Sequence, residues 1–179
     1  MTVEYLLDKE VEVILRALRP ANSLVCQVCI HTGLRVGDVL ALKAEQIQPR
    51  FWVTEAKTGK RRMVGLPEAL REAILMQQQR DGGGVWAFPG RNPDKPRTRQ
   101  AVWKDVKRAQ KLFRLAQNVG THSMRKVYAV DLMEKYGDLE KVRRALNHDS
   151  VTVTLIYAMA ADLLQQKRLR RAAKVGRRL

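Results

Sequence analysis

His122 and Arg125 stand three residues apart, which on a helix places them on one face, one turn apart. Thr121 precedes them directly, so the pair falls at a helix N-terminus, where free amides and the helix dipole favour an anion. A histidine, an arginine and a helix start compose a phosphate site; the same residues also fit a solvated arginine beside a packing histidine. Arg35 directly follows Thr32-Gly33-Leu34, between an apolar segment and a short helix. A charge there must be solvated or paired. Asp38, three residues on, is the expected partner that holds the guanidinium in place. Lys57 and Lys60 flank a tight turn between two strand-like segments. A lysine on a hairpin tip is suited to phosphates in a nucleic-acid groove, or it simply faces water. His148 follows Asn147 at a helix end, and Tyr157 lies nine residues beyond; among four tyrosines, nothing in the bare residues singles it out. Cys26 and Cys29, with His31 nearby, lack the second pair of ligands a structural zinc needs. Within an apolar helix they act as small hydrophobes.

The elements that must position these groups are mostly helical. Asp8 is expected to cap a helix with Val11, Ile14, Leu15 and Leu18 on one side, stopped by Pro20. Asn22 is expected to cap a second, Leu24 to Ile30, apolar nearly all round and therefore buried, and ended by Gly33. A short helix follows from Val36 to about Lys43. Phe51 to Thr54 and Arg62 to Val64 read as two strands of a hairpin joined through Lys57-Thr58-Gly59-Lys60. Pro67 opens a helix to Arg80, broken by Gly82-Gly83-Gly84. A loop over 92–97 leads to Thr98, the expected cap of a long basic helix to about Asn118. Thr121 opens a helix ending at Gly137, and Asp138 caps another to Leu146. Residues 151–157 alternate and are β-branched, which reads as strand, although Ser150 fits a helix cap. The fold class is mainly α with a small antiparallel β-sheet, α+β.

Charge sets the partner class. Lysine and arginine number 34 against 18 acids, a net +16, and a compact domain with that excess repels itself unless a polyanion neutralises it. The basic residues run along the whole chain rather than gathering beside one amphipathic anchor, which favours nucleic acid over a membrane surface. No apolar run approaches the ~20 residues that span a bilayer. The acidic, non-apolar first ten residues are not a signal peptide, and two cysteines make no disulfide scaffold, so a cytoplasmic protein is expected.

Taken in order, these segments resemble the catalytic domain of the tyrosine recombinases, the phage-integrase family. The family's T-G-x-R with an acid three residues on is similar to Thr32-Gly33-Leu34-Arg35 and Asp38. Its hairpin lysine resembles Lys57 in Ala56-Lys57-Thr58-Gly59-Lys60, and its H-x-x-R resembles His122-Ser123-Met124-Arg125. Its L-G-H and the tyrosine nine residues later resemble Leu146-Asn147-His148 and Tyr157. Asn147 replaces the usual glycine, at a position that reads as a left-handed helix C′. Asp38 stands where glutamate is more frequent.

The resemblance implies a helix over 151–160 in place of the strand reading. It implies a DNA recombinase whose Tyr157 attacks a phosphodiester and forms a 3′-phosphotyrosyl link. Arg35 and Arg125 then grip the phosphate, His148 donates to it, His122 accepts the tyrosine proton, and Lys57 protonates the departing 5′ oxygen. No metal, other cofactor or ATP is implied. Lys60, Arg97, Arg99 and Lys104 are expected DNA contacts. The implied partners are double-stranded DNA and, in the active state, a homotetramer on two duplexes, of bacterial, phage or plasmid origin. Residues 1–160 form the expected catalytic domain, with 161–179 a basic tail that packs on a neighbouring protomer or binds DNA. The N-terminal core-binding domain of most members is expected to be absent, so binding should be weak and steeply salt-dependent. Type IB topoisomerases share the chemistry, and a non-catalytic DNA-binding protein on the same scaffold is the remaining alternative.

Overall fold

The computed structural model describes residues 6–147. The element order is α1 (Asp8–Ala17), α2 (Pro20–Thr32), α3 (Val36–Leu40), a 3-10 turn (Ala44–Gln46), β1 (Arg50–Thr54), β2 (Arg61–Gly65), α4 (Glu68–Arg80), α5 (Arg99–Leu112), α6 (Thr121–Tyr136) and α7 (Leu139–Ala145). This is the expected mainly helical chain with one two-stranded antiparallel sheet. The readings at 151–160, the tail 161–179, His148 and Tyr157 lie outside the described residues. No helix among the described residues is long and apolar enough to cross a membrane.

Helix α2 is the centre of the fold. It packs against α1, α3, α4, α5 and α6 and touches β2. Leu24, Val25, Cys26, Val28 and Cys29 are all buried, as an apolar surface on every side requires. Burial pushes the Cys26 thiol up to about 12, with Asp105 adding to it, and burial likewise raises Cys29, so both thiols stay protonated in the core.

The helix starts differ from expectation in three places. Leu7, not Asp8, is the α1 cap; Asp8 is the first helical residue, and the Glu10 carboxylate accepts the Leu7 amide at 2.7 Å. Pro20 does not merely stop α1 but opens α2, where its missing N–H costs nothing. Asn22 therefore sits inside α2, where its buried amide donates to Asp105 at 2.8 Å. That carboxylate also accepts the Arg19 amide, so α5 caps α2 across the core. At the other ends, α3 stops at Leu40 and α5 at Leu112 rather than Asn118. Arg114 takes φ 49°, which breaks the helix, and buried Val119 draws the following loop into the core.

The hairpin alternates as a half-buried strand pair must. Phe51, Val53 and Val64 point into the core, while Trp52 faces Met63 on the exposed side. Thr98 caps α5 by accepting the Ala101 amide, and Asp138 caps α7 by accepting those of Glu140 and Lys141, both as expected. Gly33 and Gly137 end α2 and α6 in the left-handed conformation, as expected.

Gly33 is the most constrained of these positions. Its φ is 64°, and a Cβ there would lie 2.2 Å from the Tyr128 ring. Gly33→Ala combines left-handed strain with a clash against an aromatic ring, so unfolding in denaturant should show a loss of about 2–4 kcal/mol. An alanine variant as stable as the parent would contradict the packing of α2 on α6.

Candidate active site

The turn after α2 delivers the first group. Thr32 bonds the Val28 carbonyl at 2.6 Å, Gly33 turns the chain, and Leu34 is fully buried. Arg35 then emerges as the residue preceding α3. Its guanidinium pairs with Glu55, not with Asp38 as expected. Asp38 is buried and instead accepts the amide of Ala56 at 2.9 Å, which holds the hairpin turn against α3.

The hairpin delivers the second group. Glu55 accepts the amide of Gly59 through its own carbonyl at 2.8 Å, and Gly59 has φ 67°, so the turn is closed tightly with Lys57 and Lys60 exposed on it. The start of α6 delivers the third. Gly120 is its cap, Thr121 its first residue, and His122 follows, exposed at its first turn. Arg35, Asp38, Lys57, Thr121 and His122 line one cleft of about 730 Å³. Three chain segments that the sequence separates widely thus present an arginine, a lysine and a histidine to one space.

Arg125, one turn after His122, is 4% exposed. Its guanidinium donates to the carbonyls of Gly33 and, at 2.6 Å, Leu146. It therefore joins the turn after α2 to the turn after α7. Asn147, the last described residue, has φ 52°, as its reading as a left-handed C′ anticipates. Its amide donates to Glu55 at 3.1 Å.

The part of the His122 ring that lies against the cleft wall is desolvated although the residue is open to solvent, and this, followed by the nearby Arg125, Arg35, Lys126 and Lys57 cations, lowers its pKa from the ordinary 6.5. The imidazole is thus neutral at pH 7 and able to accept a proton.

The four expected DNA contacts do not behave alike. Arg99 lines the cleft from the start of α5, and Lys104 is exposed on the same helix. Lys60 is exposed on the hairpin turn. Arg97 is turned inward instead: it pairs with Asp81 at 2.9 Å and donates to the Asn22 side-chain oxygen Oδ1 at 3.4 Å. It fastens the loop before α5 to α4 and α2 and does not line the cleft.

Sequence reasoning missed three residues. Glu55 is fully buried and gathers Arg35, Arg62 and Asn147. Strand parity carries the signal, since Phe51 and Val53 point inward and Glu55 continues that face. Arg62 pairs with Val53 across the hairpin and so also belongs to the inner face. Trp103, half exposed and four residues after Arg99, adds an aromatic side to the cleft.

Residues 4–163 match the phage integrase family. A probable integrase/recombinase, YoeC, of Bacillus subtilis is 28% identical over 130 residues, covering 72% of this chain and 71% of that protein. The integrase of Escherichia phage P2 is 30% identical over 164 residues, covering 90% of this chain and 44% of that protein. The chain spans about half the length of most curated relatives it matches. Among solved structures, XerA recombinase superposes over 96% of this chain and 64% of its own, with a TM-score of 0.76 at 20% identity. A lambda integrase dimer bound to a COC′ core site superposes over 88% of this chain and 49% of its own, with a TM-score of 0.70 at 23% identity. The fold is that of these catalytic domains.

A titration of His122 followed by NMR should give a midpoint below 6.5. Replacing Arg35 by Gln removes a cation that disfavours the imidazolium, so the midpoint should rise. An unchanged or lower midpoint in the variant would show that the arginine does not act on the ring.

Proposed function

This chain belongs to the phage integrase family, and on that premise we propose that it is a site-specific DNA recombinase that cuts and rejoins strands through a 3′-phosphotyrosyl intermediate. The observation that carries this reading is the convergence of Arg35, Lys57 and His122 on one cleft from three separate segments, with Arg125 anchored one turn behind His122.

A phosphodiester exchange needs a nucleophile, an acceptor for its proton, neutralisation of the phosphate and an acid for the leaving oxygen. Tyr157 is the nucleophile; its hydroxyl, with an ordinary pKa near ~10, needs its proton taken as it attacks phosphorus. His122, neutral because burial and the surrounding cations oppose its protonation, takes that proton. Arg35 and Arg125 contact the non-bridging oxygens and offset the charge that develops in the transition state. His148 donates to the same phosphate. Lys57 gives its proton to the 5′ oxygen as the phosphorus–oxygen bond breaks. The bond energy remains in the protein–DNA link, and a 5′-hydroxyl from a second duplex reverses the step without ATP.

Arg99, Lys104 and Lys60 bind the duplex backbone around the cleft, and Arg97 is removed from that set by its ion pair with Asp81. Residues 1–160 constitute the catalytic domain, and the basic stretch 161–179 packs on a neighbouring protomer in a tetramer on two duplexes, in a bacterial cytoplasm. What supports the assembly is the chemistry: exchanging strands between two duplexes requires four cuts.

Incubation with a duplex nicked beside the cleavage site should trap a denaturant-resistant protein–DNA adduct. Tyr157→Phe should abolish the adduct and leave DNA binding intact. Arg35→Lys or Arg125→Lys should slow its formation ~10²-fold or more, because the planar fork is lost while the charge is kept. An adduct that survives Tyr157→Phe, or full activity in both lysine variants, would overturn these assignments. Joining of strands from two different duplexes separates a recombinase from a topoisomerase, which religates its own strand.

A further inference from the structure

Arg62 lies outside every motif that the proposed chemistry uses, yet its guanidinium bonds two helix ends and pairs with the buried Glu55. It stands on the inner face of β2, opposite Val53, with its side chain 11% exposed. Its nitrogens face three separate segments, the two terminal ones through hydrogen bonds and Nε through an ion pair without a well-aligned hydrogen bond. Nε pairs with Glu55 at 3.0 Å, one terminal nitrogen donates to the Thr32 carbonyl at 2.8 Å, and the other to the Ala145 carbonyl. Thr32 ends α2 and Ala145 ends α7, so both acceptors are carbonyls at helix C-termini, which lack intrahelical partners and carry the negative end of the dipole.

This matters for the hairpin. A two-stranded ribbon is marginal by itself, and its direction is set by whatever its inner face is fastened to. Asp38 fixes the turn at Ala56. Arg62 fixes the stem to the two helix ends from which Arg35 and His148 continue. Lys57 is exposed on the turn and, among the described residues, shows no comparable anchor, so its reach toward a phosphate held by Arg35 follows from the angle of the stem.

We propose that Arg62 is a positioning residue that sets Lys57 against the leaving 5′ oxygen by pinning the β1–β2 hairpin to the C-terminal ends of α2 and α7. This rests on Lys57 being the general acid. A lysine at 62 keeps the charge but gathers its donors on one nitrogen, which cannot reach groups spread around the edge of a planar guanidinium.

The test uses the full chain and single-turnover cleavage of two nicked duplexes, one ordinary and one with sulfur replacing the bridging 5′ oxygen. A thiol has a pKa near ~8.5 and departs as thiolate without an acid, so the sulfur substrate no longer needs Lys57. Arg62→Lys should cleave the ordinary duplex about 10- to 100-fold more slowly than the parent, the cost expected for a misplaced acid. On the sulfur duplex it should come within about threefold, since acid catalysis is no longer required. Arg62→Gln should show the same pattern. Any misfolded fraction slows both substrates equally, so the ratio between them is independent of stability. Lys57→Ala is measured alongside. If it recovers on sulfur while the Arg62 variants lose equally on both duplexes, the positioning role is overturned and Lys57 stands as the acid. If Lys57→Ala does not recover on sulfur, the acid assignment falls and the role of Arg62 with it.

Discussion

A carboxylate with no exposure to water dictates the arrangement of the cleft. Glu55 is fully buried, and an ionised group in that position is tolerated only when its oxygens are met by cations or strong donors. Arg35, Arg62 and Asn147 meet them, and they come from the turn after α2, from β2 and from the turn after α7. Breaking a buried pair typically costs ~3–5 kcal/mol because the remaining charge is left uncompensated. That penalty makes the four residues act as a unit. Elements as many as 92 residues apart in the chain are held at hydrogen-bond range, and the groups that line the cleft are carried on them.

The same economy appears at the helix ends. Two successive carbonyls at the end of α2, Thr32 and Gly33, are taken by Arg62 and Arg125, and so are two successive carbonyls at the end of α7, Ala145 and Leu146. One pair of guanidinium groups thus closes two helix C-termini whose carbonyls would otherwise go unbonded. Asn147 fits this scheme better than the glycine usual in the family at that position. Both residues accept the left-handed conformation, but only asparagine brings an amide that reaches Glu55. The departure from the family motif adds a bond to the buried network.

The net charge of +16 does not describe the surface around the cleft. Arg62, Arg97, Arg108 and Arg143 pair with carboxylates of their own chain, and Arg35 and Arg125, the proposed phosphate ligands, are also held from within, by Glu55 and by two carbonyls. Several of these arginines hold the scaffold together. The cations left around the cleft, on the hairpin turn and along α5, form a smaller and more local set, which includes Lys57, Arg99 and Lys104.

What could be read along the chain is what local physics controls. The helices follow from apolar spacing, the caps at Thr98 and Asp138 from side chains that accept nearby amides, and the breaks at Gly33, Gly137 and Asn147 from their tolerance of positive φ. The motif residues Arg35, Lys57, His122 and Arg125 were legible because their types and spacings resemble one family's pattern. Where the caps were misread, at Leu7 and Arg19, the helix N-terminus is served by a side chain elsewhere: Glu10 from within the helix, Asp105 from across the core. The partner of Arg35 was misread for the same reason. Asp38 is adjacent in sequence, but Glu55 is the carboxylate that the fold buries beside it, and Arg97 is drawn inward by Asp81. A charge pairs with whatever opposite charge shares its dielectric environment, and burial is a property of the packed chain. Only the tertiary structure decides which groups are dry, and therefore which must find one another.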